Sequence, residues 1–518
     1  MQKTLFIKLS IIAGLCLIFT IGLTMFSSVI SERQNYADSV VREIAQQHVN
    51  PQEIITPFIA IPMTVTPECL IAANSTEKNK CAAPYSTVST VFATQTMASQ
   101  DLAVSNETYQ RGIYHATSYE GDIIFDQRYS LTQHSLPAST RAQTANGDAN
   151  NNTTGNPAVN TAQTQRTQTH WDNVKLIIPV SDLRGVATLP TVTIGKQQLK
   201  ATYPQDAMIQ GLSYVEVALP QDLIAKLQAA SLTAKHPNGL QNDATQEHLL
   251  DITVNLPLSG INHLNTVPTG QNFELVMRSN WHAPNFIGKA LPNAKDYTSK
   301  GFEAKWQNQY LTVANNQYLS KCLSSANNEC TVTSRASLND EMSLRDPEPA
   351  LMEASMSADS LSLNSFGVSF AEPNDVYLQT ERTMKYALLL ILVSFGTFFL
   401  FEIIKSSRIH PIQYLLVGCA LLVFYVLLLP LAEQIVFWQA YAVAASACVG
   451  LIGWYTYYVL GSIKRAAIFT AILAGLYASF YGILTVEDLN LLLGAVFCFV
   501  LIAAVMVMTR KIDWYQVT

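Results

Sequence analysis

Apolar positions in this chain gather at its two ends. Residues 9–30, 386–404, 412–431, 436–460, 466–486 and 489–508 are near-continuous runs of Leu, Ile, Val, Phe and Ala. A bilayer core takes about 20 apolar residues in a helix. Only an element that satisfies its own backbone polar groups can cross it. The pattern predicts six transmembrane helices, one N-terminal and five C-terminal. The first run exceeds the roughly 7–15 residues of a signal-peptide core. Its exit, Ser27-Ser28-Val29-Ile30-Ser31-Glu32, offers no small-residue cleavage site, so it reads as an uncleaved anchor.

Between the ends the pattern changes. Residues 58–65, 113–125, 174–180, 214–219, 249–256, 273–277 and 302–311 are short runs rich in Val, Ile, Tyr and Phe. Pro, Gly, Asn or Asp clusters separate many of them, as expected of strands. Alternation is clear in Tyr214-Val215-Glu216-Val217-Ala218-Leu219, which predicts sheets with one buried and one wet face. Residues 36–47, 221–230 and 341–355 read as helices, the first continuing the anchor as a stalk. Residues 139–169 carry almost no large apolar side chain, so burial cannot offset their ordering entropy. They read as a disordered insertion, and 327–349 as a second loop insertion. The expected fold is an α+β membrane protein: six helices holding a large, mostly β, sandwich-like antiparallel domain. Its predicted divisions are an anchor over 1–30, a β-rich domain over 31–383, and a five-helix bundle over 384–518.

Charge orients this arrangement. The apolar ends hold nine of the 32 Lys and Arg and five of the 38 Asp and Glu, leaving residues 31–383 with a net charge of −10. Such an acidic block argues against nucleic-acid binding, which needs a basic face. Lys3, Lys8, Lys405, Arg408, Lys464, Arg465, Arg510 and Lys511 flank the predicted helices on one side. The short loops on the other side carry no Lys or Arg. By the positive-inside rule both termini are cytoplasmic and 31–383 is external. In a bacterium that is a multi-pass inner-membrane protein with a periplasmic domain.

Four of the eight cysteines, Cys16, Cys419, Cys448 and Cys498, lie in the apolar runs and read as packing residues. Cys69, Cys81, Cys322 and Cys330 lie in the external block and allow three pairings. We expect the local one, Cys69–Cys81 and Cys322–Cys330, which suits an oxidising compartment. Zinc is the rival, but no C-x-x-C or C-x-x-H spacing occurs.

The residues together resemble a family. Phe366-Gly367-Val368-Ser369-Phe370-Ala371-Glu372-Pro373 leads through Tyr377, Glu381, Arg382 and Lys385-Tyr386 into the second apolar run. Phe398-Phe399-Leu400-Phe401-Glu402, His410-Pro411-Ile412-Gln413-Tyr414, Gly450-Leu451-Ile452-Gly453 and Asp513-Trp514-Tyr515 follow. Upstream stand Arg111-Gly112-Ile113-Tyr114, Ser181-Asp182-Leu183-Arg184-Gly185 and Ser279-Asn280-Trp281-His282. In this order they resemble the CreD family of inner-membrane proteins over nearly the whole chain. The two insertions look like departures from a shorter family core. The resemblance implies a role in cell-envelope integrity. It also implies expression tied to a two-component system that responds to carbon source and β-lactam stress. It implies no reaction and supplies no catalytic residues.

The chemistry readable from the residues is sparse. No G-x-S-x-G, no S-x-x-K with K-T-G, and no phosphate-binding G-x-x-x-x-G-K-[ST] occurs. His263 and His282 lie 19 positions apart and could meet, but no metal-ligand spacing surrounds them. We expect no catalytic residues, no metal and no cofactor. The C-terminal runs lack a charge at mid-depth, where a coupled carrier usually places one, although Tyr425, Ser446, Tyr477, Ser479 and Tyr481 could line a polar path. Two external patches remain as ligand or partner candidates. Asp182 and Arg184 form either a turn or a fork for an anion. Trp281 and His282 form either a contact loop or a core plug. The expected function is non-enzymatic support of envelope integrity and stress response through the external domain, with lipid and unidentified envelope proteins as partners and self-association left open. The alternative is a transporter or channel component for an envelope precursor or toxic compound.

Overall fold

The computed structural model of the protein describes residues 2–67, 83–130, 165–233, 249–325, 363–370, 376–405, 410–485 and 490–510. Contacts divide the chain into two units. One is helical: Met1–Arg42, Arg111–Tyr114 and Glu372–Thr518. The other is strand-rich: Glu43–Gln110 and His115–Ala371. Helix α1 (Gln2–Gln47) runs unbroken for 46 residues, so the expected anchor and stalk are one element. It contains no proline, and nothing in its sequence forces a break.

Among the described residues, strands numbered in chain order form three sheets in the strand-rich unit. The largest has eight strands, in the order β15 (Ala294–Thr298), β16 (Gly301–Gln307), β13 (Asn272–Ser279), β4 (Gln95–Arg111), β5 (Tyr114–Ser130), β11 (Leu249–Ile261), β8 (Thr191–Ile194), β9 (Gln197–Lys200). A second sheet is ordered β10 (Tyr214–Ala218), β7 (Lys175–Pro179), β2 (Phe58–Pro67), β3 (Tyr85–Val91), with β6 (Gln165–Thr169) also on β2. The third is ordered β1 (Gln52–Ile55), β12 (His263–Val267), β17 (Phe366–Ser369), β14 (Asn285–Gly288). The eight-stranded and the third sheet are mixed, β13 running parallel to β4 and β1 to β12, whereas the second is antiparallel throughout.

One core joins all three sheets. Tyr119, Ile123, Phe125 and Tyr129 of β5, Val254 and Leu256 of β11, and Trp306 of β16 are buried in one cluster. That cluster includes Ile59 and Ile61 of β2, Leu176 and Ile178 of β7, and Phe366 and Val368 of β17. Each fully buried aliphatic or aromatic side chain contributes about 1.5–3 kcal/mol. The intervening residues Phe58, Ala60, Ile177 and Tyr214 face the other way and meet Leu323. Ile55 and Val267 meet Leu319. Both leucines belong to helix α3 (Gln309–Leu323), which therefore covers the far faces of the two smaller sheets. Burial on both faces explains why β2 begins Phe-Ile-Ala-Ile without alternation. Helix α2 (Gln221–Thr233), expected over 221–230, closes the main core with Leu223, Ile224 and Leu227.

The expected strand over 302–311 ends at Gln307. Asn308 then caps α3, its side-chain oxygen accepting from the Leu311 N–H at 3.1 Å. An N-cap asparagine satisfies a free helix donor, and the strand-like residues after it were the start of a helix. The expected strand over 113–125 starts at Tyr114, because the chain turns at Gly112 with φ +67°. The last five residues of the expected insertion form β6. Residues 131–164, the expected helix 341–355 and the loop 327–349 lie outside the described residues.

The helical unit continues with α4 (Val376–Lys385), α5 (Ala387–Lys405), α6 (Pro411–Ala432), α7 (Phe437–Leu460), α8 (Ile463–Thr485) and α9 (Asn490–Thr509). Among the described residues four helices are long and apolar enough to cross a membrane, or five if the pair α4 and α5, bent by 42°, is one span. A shorter apolar segment, Leu492–Ala503, lies in α9. Phe395, Phe398, Tyr414, Phe424, Phe469 and Phe480 fill the interior.

Two glycines in the large sheet allow close backbone approach. A Cβ on Gly121 would run into the Asp101 carbonyl, and one on Gly301, whose φ is +135°, into the Ser279 carbonyl. Backbone gives way less easily than side chain, so Gly121→Ala is expected to destabilise the strand-rich unit by roughly 1–3 kcal/mol. Faster limited proteolysis of the purified full chain would register the loss; unchanged digestion would count against the close approach.

Candidate functional site

The Ser181–Gly185 motif folds as a latch on the end of α1. Asp182 caps a short 3-10 turn over Leu183–Gly185, and its carboxylate accepts from the Arg184 N–H at 3.0 Å. It also accepts from the Asn50 N–H at 3.0 Å and from the Arg184 guanidinium at 2.6 Å. The same guanidinium donates to the Gln46 carbonyl in the last turn of α1. A cation there meets the negative end of the helix dipole and a carbonyl with no intrahelical partner. Burial pushes the Asp182 carboxyl up, but the Arg184 side chain and the Asn50 and Arg184 N–H groups together hold it below its ordinary value.

Gln52 completes the latch. It is 1% exposed, yet its amide donates to the carbonyls of Asp182 at 3.0 Å and Ser259 at 3.3 Å. Its oxygen accepts from Ser181 Oγ at 3.1 Å and the Asp182 N–H at 3.2 Å. A buried amide satisfied on both ends fixes its surroundings. Asp182 and Arg184 are thus engaged with each other and with α1, the turn of the two expected alternatives.

Trp281 and His282 separate. Trp281 is half-buried against the main core, edge-on to Phe370 at 6.5 Å, and its indole N–H donates to the Ala283 carbonyl at 3.1 Å. His282 is exposed on the same loop. His263 opens β12, paired in register with Ser369. Burial lowers its pKa to about 4, so it is neutral at pH 7. Among the described residues no group of three or more His, Cys, Asp or Glu converges as metal ligands would.

The free thiols among the described residues are Cys16, Cys419, Cys448 and Cys498, all on apolar helices. Cys322, in the last turn of α3, is not one of them. Cys69, Cys81 and Cys330 lie outside the described residues.

The expected polar path does not assemble along one face of the helices. Ser446 and Ser479 are exposed and bond back to their own helices, whereas Tyr425 and Tyr477 are buried. Tyr441 donates to the Tyr477 carbonyl at 2.8 Å, and the Cys448 thiol lies 3.3 Å from the Tyr477 hydroxyl. The void among these rings is about 10 Å³, room for one water.

The strand-rich unit carries a much larger concavity, which sequence reasoning missed. An open trough of about 1060 Å³ lies on the wet face of the eight-stranded sheet, between Asp101, Glu120, Asp122, Arg278, Asp296 and Glu303. Arg278 bonds Glu303 at 2.9 Å and approaches Asp101 to 3.5 Å. That bond keeps the Glu303 carboxyl below its usual range. The sequence signal was faint: acids at the alternate positions Glu120 and Asp122 mark one strand's outer face, but their neighbours come from distant segments.

A family model described as Inner membrane protein CreD matches residues 4–515 of the chain. The chain is also 28% identical over 515 residues to the inner membrane protein CreD of Escherichia coli (strain K12), a match that covers 99% of this chain and 95% of the relative. No solved structure matches it.

The latch and the half-buried His263 respond to acid in different windows. Unfolded His263 takes up a proton as pH falls through about 6.5. The folded state resists until about 4. Stability is therefore lost between these values, by about 3 kcal/mol from this group. His263→Gln is expected to flatten the pH dependence of unfolding over that range. Asp182, whose folded pKa is lowered, contributes fully above about pH 4 and loses its contribution as pH falls below it. Asp182→Asn is expected to remove that second, more acidic loss, read by denaturant unfolding of the full chain across pH.

Proposed function

The chain belongs to the CreD family of inner membrane proteins, and from that premise we propose that it supports envelope integrity under stress by binding envelope proteins through a periplasmic domain, without catalysing a reaction. In this reading six helices cross the inner membrane, with α4–α5 and α9 counted as spans. Both termini are cytoplasmic, and residues 31–383 face the periplasm. Cys322 pairs with Cys330 and Cys69 with Cys81 in that oxidising space.

The observation that supports this reading is the contrast of concavities. Among the described residues, the void among the aromatic rings of the helical unit is about 10 Å³, and the trough of the strand-rich unit about 1060 Å³. A transported solute needs a path through the helices, and a partner needs a surface outside them. The absence of Lys and Arg from the loops between α6 and α7 and between α8 and α9 supports the orientation.

Cells lacking the protein supply the test. Wild-type chain is expected to restore resistance to an envelope-perturbing detergent. Substitutions that clear the trough are expected to lose it, whereas Tyr425→Phe and Tyr477→Phe keep it. A cysteine placed at Lys196, in the β8–β9 turn, is expected to react with a membrane-impermeant maleimide in intact spheroplasts. Labelling only after lysis would overturn the orientation. Loss of rescue by the tyrosine variants alone would favour a transporter.

A further inference from the structure

We propose that the trough on the large sheet is a docking groove for an extended, lysine- or arginine-bearing polypeptide segment of an envelope partner. This rests on the reading that the domain works through protein partners, and names the chemistry of that partner.

Two features border the trough: a row of acids that crosses the sheet from β5 to β15, and a free edge at its β15 end. The first is charge. Arg278 is already occupied by Glu303 and Asp101. Glu120, Asp122 and Asp296 are exposed and have no ion-pair partner among the described residues. Lys300 is the one lining cation outside the Arg278 cluster, so the unneutralised charge of the wall is negative. Carboxylates left unpaired around a concavity select cations and reject anions.

The second feature is backbone. β15 is the edge strand of the same sheet, pairing with β16 on one side and with no other strand among the described residues. All five of its residues are exposed. Its alternation splits the side chains: Asp296 and Thr298 line the trough, while Lys295 lies on the other face with its ammonium 5.2 Å from the Phe286 ring centre. The lysine that would ordinarily guard such an edge is therefore held against an aromatic ring, and the acid faces the groove. A free edge takes an added strand through main-chain bonds, while side-chain surfaces set specificity. Five residues of edge span about 16 Å. A compact amine cannot use that length, but an extended chain can.

Full-length protein in nanodiscs of zwitterionic phosphatidylcholine is the material for the test, because neutral lipid does not itself attract a cationic probe. A fluorescent peptide of alternating lysine and threonine is titrated by anisotropy. Saturable binding is expected, weakening with salt. The triple variant Glu120→Gln, Asp122→Asn, Asp296→Asn is expected to bind about tenfold more weakly, with unchanged thermal unfolding. Hydrogen exchange over Ala294–Thr298 is expected to slow when the peptide binds. Equal affinity of the triple variant, equal binding of an oligoglutamate peptide, displacement by equimolar spermidine, or unchanged exchange in β15 would each overturn the proposal. A null here leaves the cell rescue and labelling outcomes untouched, so failure of the groove is distinguishable from failure of the envelope role.

Discussion

Burial of a single sheet face organises the strand-rich unit. The eight-stranded sheet has one apolar side, carried by Tyr119, Phe125, Leu256, Leu275 and Trp306, and a sheet of that size cannot leave such a side in water. The two smaller sheets cover it and thereby expose apolar backs of their own, which α3 covers in turn with Leu319 and Leu323. The layers follow from one demand applied twice. The outer face of the large sheet, under no such demand, is free to carry charge, and the trough lies there.

The junction between α1 and the strands obeys a different rule. A helix 46 residues long ends with carbonyls that nothing within it can satisfy. Arg184 supplies the donor, Asp182 holds Arg184, and Gln52 ties both to β1 and β11. Each member is fixed by another, so the motif is a structural closure.

Legibility in the sequence tracked the strength of the apolar pattern. The long runs were plain, as were β7, β10 and β11, whose core-facing positions are mostly Val, Ile and Leu. β4 was invisible because its inward positions hold Thr96, Ala98 and Gln100 before reaching Leu102 and Val104. Thr96 and Gln100 are buried through hydrogen bonds to Gln127 and Thr266 rather than through hydrophobicity. α3 was hidden by Asn315 and Asn316, poor helix formers whose amides are spent on Pro268, Asn364 and Gly270. The 19-residue separation of His263 and His282 suggested a meeting that the fold does not make: one is half-buried on a strand and the other exposed on a loop. Sequence separation carries no information on which face of a sheet a side chain takes.

The trough was illegible for a further reason, which bears on how it works. Its acids come from β4, β5, β15 and β16, separated by up to about two hundred residues, and no local window contains more than two of them. The net charge of −10 over residues 31–383 gives no hint of their convergence, because most acids on such a surface are solvated singly. Screening limits an exposed charge to about 10 Å at moderate salt, so acids spread over the whole unit would act separately. In the fold they line one trough on the same sheet, in a row that crosses it from β5 to β15. Gly121, between Glu120 and Asp122, and Gly301, two residues before Glu303, admit the close backbone approaches within the trough's lining, so a side chain there would disturb the strands that carry its acids.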